Sequence, residues 1–272
     1  MSSHSESAAP GSLDLSKWRN LPTILMAVGG AVALLGLAVN PKQFGYSWLL
    51  AVMFFLSICL GSLFLVILHH LFDAMWSVPI RRFVEHLACL APVMGLLFIP
   101  ILILAGRIYP WMDPANADHS LHAKHGYLNT PMWYGRAVAL FVLWTLLSFG
   151  LRKWSLKQDQ TGGADCTYKM RRYAAGGIFV FALSLTFAAI DWMKSLEHQW
   201  FSTMYGVYYF AASVWTTLAT VYLLAAVLKR AGPLRHVVRE RQFLDIGVLF
   251  FAFTVFYAYI HFSQYFLIWN AA

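Results

Sequence analysis

Seven long apolar runs divide the chain, at 21–39, 47–68, 87–105, 137–151, 176–190, 207–228 and 246–269. None alternates with period two, and they exceed the ~10 residues of a barrel strand. In hydrocarbon a backbone amide must find its partner within its own segment, so runs of roughly 20 apolar residues predict membrane-spanning helices. The fourth and fifth runs are short. They reach spanning length when Trp133 and Tyr134, or Tyr173 and Trp192, serve as interfacial ends. The predicted fold is all-α: a polytopic transmembrane bundle over 21–272, preceded by a polar, mobile cytoplasmic tail at 1–20. The first run is read as a retained helix, because no small-x-small cleavage pattern precedes Asn40-Pro41. QDQTGGAD at 158–165 reads as a flexible turn between the fourth and fifth spans.

Composition excludes a water-soluble alternative. Hydrophobic residues make up 60% of the chain and charged ones 12%, against ~45–50% and ~25% in soluble domains. Lys and Arg are unevenly placed. Fifteen fall in the N-terminal tail and in the second, fourth and sixth loops; Lys42, Arg107, Lys124, Arg136 and Lys194 fall on the other side. The positive-inside rule then puts the N-terminus in the cytoplasm. The net charge of +8 is mostly this bias, which removes the reason to invoke a nucleic acid. Three cysteines without a CxxC or CxxCH pattern give no disulfide framework, iron–sulfur cluster or covalently attached haem. No glycine-rich phosphate loop, nucleophile elbow or HExxH occurs. Redox chemistry involving this chain would therefore be carried by partners.

The remaining chemistry lies in ionisable groups near the ends of the spans. His69, His70 and Asp73 close the second span, and Glu85 and His86 open the third. As antiparallel neighbours these helices bring the groups to one membrane face, as interfacial anchors and caps, as a proton-uptake site, or as haem ligands. On the opposite side His119, His122 and His125 recur every three residues, a spacing that suits either a metal on one helical face or a solvated loop. Asp191, Lys194, Glu197 and His198 stand three or four apart, where local ion pairing on a helix is possible. Trp192 and Trp200 make the same stretch an interfacial belt or the wall of a site for a flat apolar ligand. His261 and Gln264 share a face of the seventh span, which should turn into the bundle because lipid offers no partner. Pro92 and Pro100 are expected to interrupt the third span.

Four segments together resemble a known family. HHLFDAMWSVPIRRFVEHLA (69–88), KHGYLNTPMWYGRAV (124–138), DWMKSLEHQWFSTMYGVYYF (191–210) and FTVFYAYIHFSQYFLIW (253–269) look like the polytopic F-type subunit of alternative complex III, a bacterial quinol:cytochrome c oxidoreductase. That subunit is in turn similar to NrfD-like membrane anchors. The resemblance runs over most of the chain from Ser47 onward. Two departures stand out. His198-Gln199 replaces the usual proline after the SLE triplet, and the family continues to about ten helices, so a chain ending at Ala272 is expected to be a fragment. The resemblance implies a multi-pass subunit of a bacterial inner-membrane complex. Its implied partners are a related polytopic subunit, an iron–sulfur subunit and multihaem cytochrome c subunits, with membrane lipid around it. It implies adjacency to menaquinol or ubiquinol and no covalently bound cofactor. A proton route would then draw on His69, His70, Asp73 and His86 at the inner side, and on Asp191, His261 and Gln264 toward the outer side. Lys194, Glu197 and His198 would form an outer polar site. A purely structural scaffold and a stand-alone transporter are the alternatives; a transporter would be expected to show internal repeats, and none is found.

Overall fold

A computed structural model describes residues 19–113, 119–200, 202–232, 234–235 and 237–271, excluding the side chains of residues 120, 122, 123 and 271. The described residues are helical, with no strand, and seven helices are long and apolar enough to cross a membrane. The chain is a multi-pass membrane protein. The elements are α1 (Leu21–Val39), α2 (Pro41–Phe72), α3 (Arg81–Ala88), α4 (Ala91–Ile108), α5 (His119–Lys124), α6 (Thr130–Thr161), α7 (Ala164–Ala188), α8 (Tyr205–Ala231) and α9 (Glu240–Ala271).

Local sequence sets the ends. Asn40 caps α2 by accepting from the Gln43 amide at 3.1 Å, and Asn129 caps α6 by accepting from Met132 at 3.0 Å. Each is followed within two residues by a proline, whose missing N–H costs nothing in a first helical turn. The helices outrun their apolar stretches. The basic segment 152–172, read above as loop, belongs instead to α6 and α7. Lys, Arg and Gln are good helix formers, and nothing stops the helix before Gly162-Gly163. Gly162 adopts φ +63° and returns its amide to the Gln158 carbonyl at 2.8 Å, a left-handed stop that suits glycine. Gly162→Ala is expected to destabilise the α6–α7 turn by roughly 1–2 kcal/mol, seen as a lower thermal midpoint in detergent.

The third span also departs from expectation. It divides between α3 and α4 just before Pro92, which opens α4, whereas Pro100 lies inside α4 without ending it. Two polar side chains bond carbonyls on either side of the proline: Trp48 Nε1 donates to Leu97 O at 2.8 Å and the Tyr134 hydroxyl to Leu102 O at 2.9 Å. Such cross-helix donors let a proline persist in a membrane helix.

α2 is the hub. It packs on α4, α7 and α8, while α4 meets α6 and α6 meets α7, so α2, α4, α6 and α7 close a ring. α8 lies outside that ring against α2 and α7; α9 leans on α8, and α1 touches α2 without burying a residue. Leu56, Leu60, Leu63 and Ile67 of α2 are fully buried, at the three-to-four spacing of one helical face. The α2–α8 seam is tight at Gly61. A Cβ there would stand 2.2 Å from Thr217 Oγ1 and 2.4 Å from the Ser213 carbonyl oxygen. Small residues of this kind let membrane helices approach closely enough to exchange hydrogen bonds. Here Thr217 Oγ1 donates to Ile58 O at 3.1 Å and the Tyr209 hydroxyl to Met53 O at 2.8 Å.

Candidate functional site

The end of α7 departs from α geometry. Residues Ala189–Met193 form a π turn and Lys194–Leu196 a 3₁₀ turn. A π turn shifts the hydrogen-bond ladder and releases carbonyls to other donors. The Asp191 carbonyl accepts from Trp133 Nε1 at 2.9 Å and from Ser195 Oγ at 2.5 Å; the Trp192 carbonyl accepts from the Tyr109 hydroxyl at 3.0 Å. α4, α6 and α7 are thus pinned together around the turn.

The turn aims Asp191 inward. Its residue is 0% exposed, and its carboxylate is gripped by Arg136 of α6, Nε to Oδ2 at 2.6 Å and Nη2 to Oδ1 at 3.1 Å. This two-pronged geometry is specific to guanidinium and is the strong form of the contact. The third arm, Nη1, donates to the Tyr127 carbonyl at 3.1 Å, and the guanidinium lies 4.1 Å from the centre of the Tyr127 ring. Burial, and then the nearby Asp191 carboxylate, raise the Tyr127 phenol above its ordinary range. Aromatic rings complete the enclosure. Trp192 sits 4.4 Å from Phe98, stacks on Phe141 at 5.3 Å and meets Trp144 edge-on at 5.8 Å. Trp144 Nε1 donates to Ser184 at 2.8 Å, whereas the buried Nε1 of Trp192 has no acceptor among the described residues.

The ion-pair partner of Asp191 is not local. Asp191 pairs with Arg136, 55 positions away in the chain, because the π and 3₁₀ turns destroy the α spacing that i, i+3 and i, i+4 contacts require. Lys194 is half-buried, Glu197 is exposed, and the His198 carbonyl accepts from Lys124 of α5. Arg136, counted above only as an outer-side cation, is the residue that sequence reasoning missed. The signal was present: an Arg in the apolar context of TPMWYGRAVALF needs an acceptor inside the bundle.

A second cluster lies at the opposite, basic end. Glu85 of α3 is 2% exposed and receives Arg81 Nε at 3.0 Å, Arg82 Nη1 at 2.6 Å and Ser155 Oγ of α6 at 2.5 Å. Arg82 also pairs with the exposed Asp159. His69 Nδ1 and Ser77 Oγ are 2.7 Å apart, and because that hydroxyl donates to the Ala74 carbonyl at 3.0 Å, the imidazole is the donor. The His70 ring stands edge-on to His69 at 4.9 Å, and its buried Nε2 has no partner among the described residues. Asp73 pairs with Arg171, and His86 Nδ1 accepts from Arg152 at 2.9 Å. The candidates therefore share one end of the bundle, but they are divided among separate partners.

A third group joins α8 to α9. The Tyr208 hydroxyl lies 2.8 Å from the Tyr257 hydroxyl and 2.9 Å from His261 Nδ1, and Gln264 Oε1 accepts from Ser202 Oγ at 2.6 Å. His261 is exposed and Gln264 half-buried, so the face they share is only partly turned into the bundle as expected, because α9 leans on α8 rather than lying within the ring. Asp191 and His261 belong to different seams, α6–α7 and α8–α9, and the structure does not bring them together. Of the three spaced histidines, His119 opens α5, His125 lies beyond its last residue, and the His122 side chain is outside the described residues. No group of three metal-binding side chains forms among the described residues. No protein-family model matches the chain, and no curated protein does.

Proposed function

We propose that this chain is an integral subunit of a bacterial inner-membrane quinol:electron-acceptor oxidoreductase of the alternative complex III type. In this reading it supplies a quinone-adjacent surface and proton-handling groups, while iron–sulfur and multihaem cytochrome c partners hold the redox centres. One coincidence supports the reading. The four segments that carry the resemblance also supply most of the side chains of the three polar clusters: His69, Arg81 and Glu85; Trp133 and Arg136; Asp191, Ser202 and Tyr208; Tyr257, His261 and Gln264. Ionisable groups inside a membrane are expensive and gather where protons, ions or ligands are handled.

The test is purification from native membranes in mild detergent, with an absorption spectrum and identification of the co-purifying chains. Haem-absorbing cytochrome and iron–sulfur subunits are expected to accompany the protein. A chain that emerges alone and colourless would sink the proposal in favour of a transporter. The scaffold alternative is separated by His261→Gln, at the rim of the α8–α9 cluster. Reduced quinol-driven proton release with the complex intact supports a proton-handling role; unchanged proton release assigns the chain to docking only.

A further inference from the structure

The seam between α8 and α9 is packed with stacked rings along one half and flanked by an apolar groove along the other. Toward the Asp191 end it is zipped by rings: Trp215 stacks on Phe250 at 6.0 Å and on Tyr257 at 5.2 Å, and Tyr257 stacks on Tyr208 at 5.2 Å. Trp215 Nε1 adds a hydrogen bond to Thr254 at 2.9 Å. Toward the basic end an apolar groove of about 750 Å³ runs beside the two helices, walled by residues that include Ala219, Leu223, Gly247 and Phe251, with Tyr222 the one described lining residue that carries a polar side-chain atom. Tyr222 and Phe243, whose rings meet edge-on at 5.2 Å, also line a neighbouring space of about 600 Å³ bounded by Lys229, Arg230 and Arg235. The Lys229 ammonium lies 5.1 Å over the Phe243 ring, at the junction of the two. None of the three cations forms an ion pair among the described residues.

An apolar slot ending in uncompensated cations is complementary to one kind of membrane molecule. We infer that the α8–α9 groove binds an anionic phospholipid, with an acyl chain along the helices and the phosphate-bearing headgroup on Lys229, Arg230 and Arg235. The dimensions agree. Along α8 the distance from Lys229 to Ala219 is roughly 15 Å, half of a hydrocarbon core of about 30 Å, which is the reach of one leaflet's chains. A spanning helix of a partner protein would need a groove through both leaflets, and the ring stack closes the other half. It would also have no use for the cations. Basic pockets between helices at the headgroup level are the arrangement that selects anionic lipid.

The experiment uses the full chain, stripped of lipid in mild detergent and offered phosphatidylglycerol or phosphatidylcholine with identical acyl chains, with bound lipid measured by native mass spectrometry. Phosphatidylglycerol is expected to be retained at concentrations about a hundredfold lower, since each of the three cations at an anionic surface contributes roughly a fivefold gain in affinity. The triple variant Lys229→Gln, Arg230→Gln, Arg235→Gln should weaken phosphatidylglycerol retention by about a hundredfold and leave phosphatidylcholine unchanged. Gly247→Leu extends into open space, since a Cβ there has nothing within 4 Å, and should weaken both lipids by filling the slot. Equal retention of the two lipids by the unaltered protein overturns the inference without reference to any variant. So does a triple variant that retains phosphatidylglycerol normally, or a Leu223→Cys variant that cross-links to another polypeptide in native membranes. These outcomes are independent of whether haem-bearing partners co-purify.

Discussion

Replacing Arg136 with leucine is expected to destabilise the protein by about 3–5 kcal/mol, because it strands the Asp191 carboxylate in a site with no access to water. The carboxylate would lose both of its guanidinium bonds, at 2.6 and 3.1 Å, and the Tyr127 carbonyl would lose its donor. Among the neighbouring side chains, the Tyr127 phenol is left to interact with the carboxylate. Trp133 Nε1 and Ser195 Oγ are committed to the Asp191 backbone carbonyl rather than to its side chain. The measurement is thermal unfolding of the purified chain in detergent, alongside the yield of monodisperse protein. The double replacement Arg136→Leu, Asp191→Leu tests the mechanism, since removing both charges also removes the desolvation penalty of each. It should recover most of the lost stability. A double variant as unstable as the single would show that shape, rather than uncompensated charge, is what Arg136 provides. A practical consequence follows for functional work. Exchanging Asp191 alone perturbs the α6–α7 seam, so lost activity in such a variant cannot be assigned to proton transfer unless assembly is measured in parallel.

Gly61→Ala is expected to be the most damaging alanine substitution among the described glycines. The added carbon would meet Thr217 Oγ1 at 2.2 Å and the Ser213 backbone oxygen at 2.4 Å. A threonine can rotate, but a helix carbonyl cannot withdraw without moving α8. That movement would stretch the Thr217–Ile58 and Tyr209–Met53 hydrogen bonds, 3.1 and 2.8 Å in length. Overpacking of this kind costs typically 1–3 kcal/mol, and the two strained bonds add to it, for a loss of about 3 kcal/mol or more. Gly29→Ala in α1 is the control, since a Cβ there meets nothing within 4 Å. A Gly61→Ala protein with the same thermal midpoint as Gly29→Ala would refute the tight α2–α8 approach on which the position of α8, and with it the α8–α9 groove, depends.

Much of the architecture is legible in one dimension because hydropathy is a local property. Each run of apolar residues announces its own span, and Asn40-Pro41, Asn129-Thr130-Pro131 and Gly162-Gly163 announce the boundaries. Where the apolar signal fades the reading falls short. The segment 152–172 is polar yet helical, because helix continuation at a membrane surface depends on the lack of a breaker rather than on hydrophobicity. Asp191 stands out in the sequence as a carboxylate in apolar surroundings. Its expected local partners do not reach it, because the backbone changes helix type at that residue. Glu85 lies at the same end of the bundle as the histidines of α2, but its hydrogen-bond partners, Arg81, Arg82 and Ser155, are not specified by that shared end. The polar residues of α9 find α8, through Tyr208 and Thr254, a pairing that the spacing of His261 and Gln264 on one face is compatible with but does not specify.

The order of the chain alone settled that the solvent is a bilayer, that the elements are helices, and how many of them are long and apolar enough to cross it. Those outcomes follow from the cost of placing unpaired amides and charges in hydrocarbon, a cost each segment meets on its own. Which charges neutralise each other was decided only by the packed bundle, where α6 carries Arg136 to the π turn of α7 and α3 carries Glu85 to Ser155. So was the apolar groove that flanks the α8–α9 seam near Lys229, Arg230 and Arg235. A counter-ion 55 positions distant, or a groove beside two helices, exists only once side chains from different segments share a small volume from which water is excluded.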